Sequence, residues 1–518
     1  MTDYGGIKEL VAALRAKTIS AVELATHTIR RIEALDRRLN AVVVRDFERA
    51  QEAARAADAA IARGEVRPLL GVPMTVKEAF NVAGLPTSWG NPQYRDFMPE
   101  QDALIVSRVK RAGAIVLGKT NVPLGLRDWQ SYNDIYGTTR NPFDLDRTPG
   151  GSSGGSAAAL AAGFGALSLG SDIGGSLRTP AHFCGIFTHK PTLGLVPTRG
   201  QTAPATPPFA REDDLLVVGP MARSASDLAL ALDVIAGPDE ARAGIGYRLQ
   251  LRPPRHDQLK NFRVLVIDSH PLVPTSTAVR GAIDGLSERL ACLGVTVARE
   301  SPLLPELAAS ARLYMRLLLS YWASNWPQDL YGRTRAAAES LSKNDTSLLA
   351  ERIRGSVMSH RNWLQADEAR VGLRHQCSAL FREWDLVLCP PMPTPAFPHD
   401  QLSPLTPEEQ FAQPVVPQSS PGARHIEVDG KKVGYVDAQL VWSALATMCG
   451  LPATVAPIAR SEQGLPIGVQ IIGPYLEDRT TLAFAELIER EFGGFLPPPG
   501  FAADPTAREG TPRPLPAR

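Results

Sequence analysis

A chain of 518 residues with 55 basic and 54 acidic side chains has a formal net charge of +1 at pH 7, which leaves no electrostatic basis for holding nucleic acid or an anionic membrane. With 44% hydrophobic and 21% charged residues it has the make-up of a globular protein able to bury a large core. Its five cysteines, Cys184, Cys292, Cys377, Cys389 and Cys449, are odd in number and never spaced C-x-x-C, which argues against a disulfide framework or a zinc knuckle.

At the start, Met1-Thr2-Asp3-Tyr4-Gly5-Gly6 has no basic segment followed by an apolar core, so no secretory signal is read and a cytoplasmic location is expected. Ser20-Ala21-Val22-Glu23 fits a capping box, and Ile29, Ile32, Leu35 and Leu39 follow at helical spacing, predicting an amphipathic helix. A second, Ala/Arg-rich helix is read over about 47–63, and the apolar stretch 69–76 reads as a strand with Lys77 at its end. Ile105, Val109 and Ala112 form one helical face ahead of a short strand over 113–118. The uncharged run 154–171 reads as a buried helix and strand, since a membrane span needs ~20 strongly apolar residues. A strand over 262–268, a helix over 279–293 and a strand over 295–297 repeat the alternation, which predicts an α/β fold with several strands in one mixed sheet.

From about 302 to 381 the pattern is mostly helical; Tyr314, Tyr321, Trp322 and Trp326 there read as apolar faces of packed helices or as substrate-pocket walls. Pro-rich 389–395 cannot be helix, and an irregular surface loop is expected as far as Pro421. No compositional break separates two folding halves. One domain over 1–497 is therefore expected, with a catalytic core over about 60–240 and a frayed tail over 498–518.

Two glycine-rich loops, Gly150-Gly151-Ser152-Ser153-Gly154-Gly155-Ser156 and Asp172-Ile173-Gly174-Gly175-Ser176-Leu177-Arg178, carry serines in small-residue backbone where amide N–H groups can approach a reacting oxygen. A serine needs a proton acceptor to become a nucleophile. Of nine histidines only His182 and His189 lie near the second loop, outside any triad pattern, and a structural role is expected for each. Gly151-Ser152-Ser153-Gly154-Gly155 matches a nucleophile elbow around Ser153, but that match is cheap in such a run. Gly150 and Gly155 have phosphate-loop spacing, yet Ser156 stands where the lysine would be. The remaining base is Lys77, whose pKa would have to fall from ~10.4 by burial, with the adjacent Glu78 turned elsewhere. Taken alone, a lysine at a strand end is more often a surface residue.

The block from Gly150 to Thr192, with Gly170-Ser171-Asp172-Ile173-Gly174-Gly175-Ser176-Leu177-Arg178 and Cys184-Gly185, resembles the amidase signature family. The separations of 75 residues between Lys77 and Ser152 and 24 between Ser152 and Ser176 match that family too. So do Gly118-Lys119-Thr120-Asn121, Gly219-Pro220-Met221 and the stretch from Gly450-Leu451-Pro452-Ala453 to Pro466-Ile467-Gly468-Val469-Gln470-Ile471-Ile472-Gly473. The resemblance implies an amidase signature fold, a mixed twisted sheet flanked by helices on both faces. It implies an amidohydrolase with Ser176 as acyl-forming nucleophile, Ser152 as bridging serine after a cis Gly151–Ser152 peptide, and Lys77 as general base. The backbone N–H groups of Ile173, Gly174, Gly175 and Ser176 would form the oxyanion hole. Ser153, Asp172 and Arg178 would support the site, either by pinning the glycine turn or directly. Cys184 reads as a packing residue rather than a thiol nucleophile.

No cofactor and no metal are implied. Leu126, Trp129, Gln130 and Tyr132 are candidate acyl-pocket walls, which would favour apolar or aromatic acyl groups. The expected partner is a small amide or related acyl compound, with no nucleic acid, no membrane and a homodimer left open. Aryl-acylamide, carbamate and ester hydrolysis are alternatives on the same triad. The family's amidotransferase component, which releases ammonia from glutamine for charged tRNA, is a further one, although no groups for an α-amino acid are identified. A non-catalytic scaffold would be expected to lose Lys77, Ser152 or Ser176.

Overall fold

The structure, a computed structural model, describes residues 3–209, 213–241, 243–400, 412–416 and 423–502. Its centre is an eleven-stranded mixed sheet. In chain order the strands are β1 (Val42–Arg45), β2 (Pro73–Lys77), β3 (Ile115–Thr120), β4 (Leu167–Asp172), β5 (Phe187–Lys190), β6 (Val217–Ala222), β7 (Arg263–Val266), β8 (Thr296–Ala298), β9 (Leu386–Cys389), β10 (Ala453–Arg460) and β11 (Pro466–Ile472). Across the sheet they run β1-β3-β2-β4-β6-β5-β10-β11-β9-β7-β8. Pairing is parallel for β3, β2 and β4 on one side and for β9, β7 and β8 on the other, and antiparallel between them and for the edge strand β1 on β3. β2, β4, β6 and β11 are buried along their whole length, so they read as continuous apolar or small-residue runs without the alternation of a half-exposed strand.

Local signals in the sequence match the elements formed. Ser20 caps the helix Ala21–Leu35 reciprocally with Glu23, and the helices Phe47–Ala62 and Thr277–Cys292 lie where periodicity puts them. The run from 154 resolves into the buried helix Gly154–Ala161 and strand β4. Four helices, Leu307–Trp322, Gln328–Ser340, Leu348–Ser356 and His360–Glu383, fill the segment 302–381. One core cluster packs helices such as Ala21–Leu35 and Ala225–Ile235 against the sheet; a second joins the helix Leu307–Trp322 to Phe183, Tyr435 and Trp442.

Two expectations are corrected. The segment after β9 is irregular but not a surface loop: Met392, Thr394, Ala396 and Phe397 are buried, and the Thr394 carbonyl bonds the His182 ring at 3.0 Å. The tail does not fray from residue 498. Phe501 is buried under the Arg38 guanidinium, and its carbonyl accepts from Tyr4 and Arg31. The rest of the tail, 503–518, lies outside the described residues, as does most of the Pro-rich loop between 401 and 422. Among the described residues no helix is long and apolar enough to cross a membrane.

Candidate active site

β2 and β4 are parallel neighbours, so both finish on the same edge of the sheet. Lys77 ends the first; Ser171 and Asp172 end the second. The loop from Gly150 to Ser153 enters the helix Gly154–Ala161 beneath that edge, with a cis peptide at Gly151–Ser152. A side chain at Gly151 would put Cβ 2.6 Å from the Asp128 carbonyl oxygen, so only glycine permits this approach.

Lys77 is fully buried. Its Nζ donates to Ser152 Oγ at 2.7 Å and to Ser171 Oγ at 3.0 Å. Burial pushes its pKa down to about 7, against the opposing pull of the Asp172 carboxylate. Glu78 does turn away: its carboxylate accepts from Ser88 N and Oγ and from Trp89 N at 2.6–2.9 Å. The lysine therefore sits among neutral hydroxyls, as a base near neutrality requires.

Ser176 precedes the helix Arg178–Cys184 and retains 7% exposure, against 2% for Ser152. Among the described residues Ser176 Oγ makes no hydrogen bond to Ser152; the two loops are joined by Ser153 N donating to the Ser176 carbonyl at 3.3 Å. Ser153 Oγ also lies 3.3–3.4 Å from the Ser171 backbone, tying the first loop to β4. Catalytic hydroxyl pairs are commonly looser before substrate binds.

Asp172 and Arg178 form a fully buried pair, with Nη2 at 2.7 Å from Oδ1 and Nε at 3.0 Å from Oδ2. Burial alone would raise the Asp172 pKa, but Arg178 and backbone donors outweigh it and hold it down to about 2. The same carboxylate accepts from Gly175 N at 2.9 Å and Leu177 N at 3.0 Å. This corrects the expected oxyanion hole: the Gly175 N–H is spent on Asp172, where the turn's φ of +94° requires glycine. The N–H groups of Ile173, Gly174 and Ser176 have no acceptor among the described residues. Two aromatic side chains aim this backbone. Tyr314 donates its hydroxyl to Ile173 O at 2.5 Å, and Trp129 donates Nε1 to Gly174 O at 2.7 Å. Since a peptide's N–H lies opposite its C=O, anchoring the Ile173 carbonyl fixes the direction of the Gly174 N–H.

Of the four pocket candidates, Trp129 alone borders a small cavity, of about 40 Å³, together with Trp322, Arg352, Arg424 and Tyr435; Lys77, the serines and the 173–176 backbone do not line it. Gln130 is instead clamped to the Asp400 backbone at 2.6 and 3.0 Å, Tyr132 sits in a two-residue strand with its hydroxyl 3.4 Å from Asp128, and Leu126 lies in a short 3₁₀ turn. Three arginines line the cavity: Arg424 pairs with Asp128 at 2.6 Å and lies 3.8 Å over the Tyr435 ring, Arg352 pairs with Asp437, and Arg127 donates to the Trp322 carbonyl at 3.0 Å. A larger cleft, of about 1320 Å³, opens between Leu193–Arg199 and the helix His360–Glu383 and includes none of these site residues.

His182 is held between Thr394 O and Gly468 N, and His189 between Thr454 and Asp478, so both are structural. Cys184 is buried, and burial pushes its thiol pKa well up, away from thiolate chemistry. Sequence reasoning missed Tyr314 as an anchor, Ser171 as a lysine partner, Gln201, and Gln470, whose Oε1 accepts from Arg178 at 2.7 Å. Ser171 and Gln470 stood inside quoted motifs; Tyr314 and Gln201 carried no local signal. Among the described residues no group of three or more His, Cys, Asp or Glu side chains could hold a metal ion.

Comparison with known proteins gives this geometry a lineage. The chain is 32% identical over 508 residues to a glutamyl-tRNA(Gln) amidotransferase component of Carboxydothermus hydrogenoformans, covering 94% of this chain and 97% of that protein. It is 31% identical over 506 residues to the fatty-acid amide hydrolase 2-A of Danio rerio, covering 95% and 89%. A solved inhibitor-bound complex, described as revealing the origins of an s-triazine catabolic enzyme, superposes with a TM-score of 0.77 at 28% identity, covering 95% of this chain and 100% of that one. The family model described as Amidase matches residues 23–482. With that match over nearly the whole chain, the protein belongs to the amidase signature family of amidohydrolases.

Proposed function

We propose that the protein hydrolyses a carboxylic amide to acid plus ammonia or amine through an acyl-enzyme on Ser176. The observation that carries this reading is the buried Lys77, with a pKa near 7, donating to Ser152 at 2.7 Å on the same sheet edge as the Ser176 loop. Ser176 Oγ attacks the carbonyl carbon while its proton passes through the Ser152 hydroxyl to the Lys77 amine. The developing oxyanion is met by the N–H groups of Ile173, Gly174 and Ser176, and one such donor is typically worth ~3 kcal/mol. As the C–N bond breaks, the proton returns along the relay to the departing nitrogen. Water then attacks the Ser176 ester by the same route and releases the acid.

An apolar or aromatic acyl group has one observation in its favour: Trp129, which holds the Gly174 carbonyl of the serine loop, also walls a small cavity with Trp322 and Tyr435. Esters and carbamates suit the same chemistry. The amidotransferase reading has the likeness to the Carboxydothermus protein in its favour, but an α-amino acid calls for charges able to leave their protein partners. An intact-mass measurement after incubation with anilides, aliphatic amides, carbamates and glutamine tests the proposal. An acyl adduct on Ser176, absent in Ser176→Ala along with turnover, is expected; full turnover in Ser176→Ala refutes it.

A further inference from the structure

Lys77 has two hydroxyl partners, and the proton relay uses one. The other, Ser171 Oγ, also accepts from Gln201 Nε2 at 2.8 Å. Gln201 lies in the connection between β5 and β6, where its backbone N–H donates to Thr198 O at 2.9 Å. The residue is 4% exposed. The bond to Ser171 is the amide's one hydrogen bond among the described residues, and its Oε1 is buried without a partner. A leucine or methionine of similar size would avoid that unpaired oxygen, so packing alone gives no reason for an amide here.

We propose that Gln201 is a positioning residue for acyl transfer: by donating its amide N–H to Ser171 Oγ it holds that hydroxyl as the acceptor of one N–H of the Lys77 amine, and so leaves the amine's lone pair free to turn toward the Ser152 hydroxyl. This rests on Lys77 being the base. A neutral amine has two N–H bonds and one lone pair in a tetrahedral arrangement. Committing one N–H to Ser171 narrows the directions left for the lone pair, and the Ser152 hydroxyl at 2.7 Å occupies one of them. It is the positive N–H end of the amide that faces Ser171 and, through it, Lys77. That orientation disfavours the ammonium without introducing a charge.

The charged groups around the lysine are otherwise engaged. Asp172, beside Ser171, is held by Arg178 and by backbone N–H groups. Glu78 faces Ser88 and Trp89, with Lys119 the charge acting on it. Asp213, farther along the Gln201 loop, accepts from Thr198 at 2.6 Å. Gln201 is thus the uncharged group able to set the amine's orientation from this side.

A fluorophosphonate reads the base without knowledge of the natural substrate. The Ser176 oxygen–phosphorus bond forms, the P–F bond breaks with loss of fluoride, and the Ser176 proton passes through Ser152 to Lys77. In Gln201→Leu the second-order labelling rate at its plateau is expected to fall about tenfold, and the acidic limb of its pH profile to move to higher pH. In Gln201→Glu, nearly the same shape, a carboxylate next to Ser171 should move the limb further; this variant carries the test if Gln201→Leu does not fold. In a Ser171→Ala background Gln201→Leu should add little, because the connection is already cut. Superimposable pH profiles, or an equal loss with and without Ser171, overturn the proposal. Failure of the underlying reading looks different: no label on Ser176 in the unaltered protein, or Lys77→Ala labelled equally fast.

Discussion

Lys77 makes the pH dependence of acylation calculable. With its pKa at about 7, set by burial against the opposing Asp172 charge, the amine able to accept the Ser176 proton is half populated near pH 7. It falls to about 10% at pH 6 and about 1% at pH 5, if the acidic limb reports this one ionisation. The fluorophosphonate labelling rate should therefore climb roughly tenfold per pH unit between 5 and 6.5 and level off above 8. Asp172 does not contribute to that limb, because Arg178 and its backbone donors hold its pKa to about 2. Lys77→Ala should abolish the limb and remove most of the plateau rate, with larger losses on amides than on activated esters, whose leaving groups need less protonation. A profile flat from pH 5 to 8 in the unaltered protein, or a limb that persists in Lys77→Ala, would refute the reasoning.

Other consequences follow from the loop's supports. Tyr314→Phe removes the hydroxyl anchoring the Ile173 carbonyl; kcat should drop about fivefold to tenfold with KM little changed, a loss of about 1 kcal/mol in orientation. Asp172→Ala leaves the buried Arg178 without its carboxylate, and urea unfolding should report a loss of about 3–5 kcal/mol. Of the five cysteines only Cys292 is exposed, so a disulfide reagent should titrate one thiol quickly in the native protein and five after denaturation.

Much of this architecture was legible along the chain, because the signals concerned are local. The capping box at Ser20 and Glu23, the helical period through Thr277–Cys292 and the apolar run ending at Lys77 each act within a few residues. The two serine loops were equally plain, since the close approaches at Gly151 and the left-handed turn at Gly175 exclude other residues. The sheet's order was not: β5 and β10 pair near its centre although residues 187–190 and 453–455 lie far apart along the chain.

The residues that surround the chemistry divide in the same way. Ser152, Ser176, Asp172 and Arg178 could be read from short motifs, as the turn they build is made of neighbours. Whether Lys77 is a base or a surface cation depends on what buries it, and whether Gly175 faces an oxyanion or Asp172 depends on anchors far away in sequence. Tyr314 and Trp129 hold the loop's carbonyls, Gln201 reaches Ser171, and Gln470 closes on Arg178. Residue identity along the chain was enough for the kind of reaction. The lysine's pKa, the direction of the loop's N–H groups and the walls of the cavity arise only from folding, because burial and hydrogen-bond direction are properties of neighbours in space.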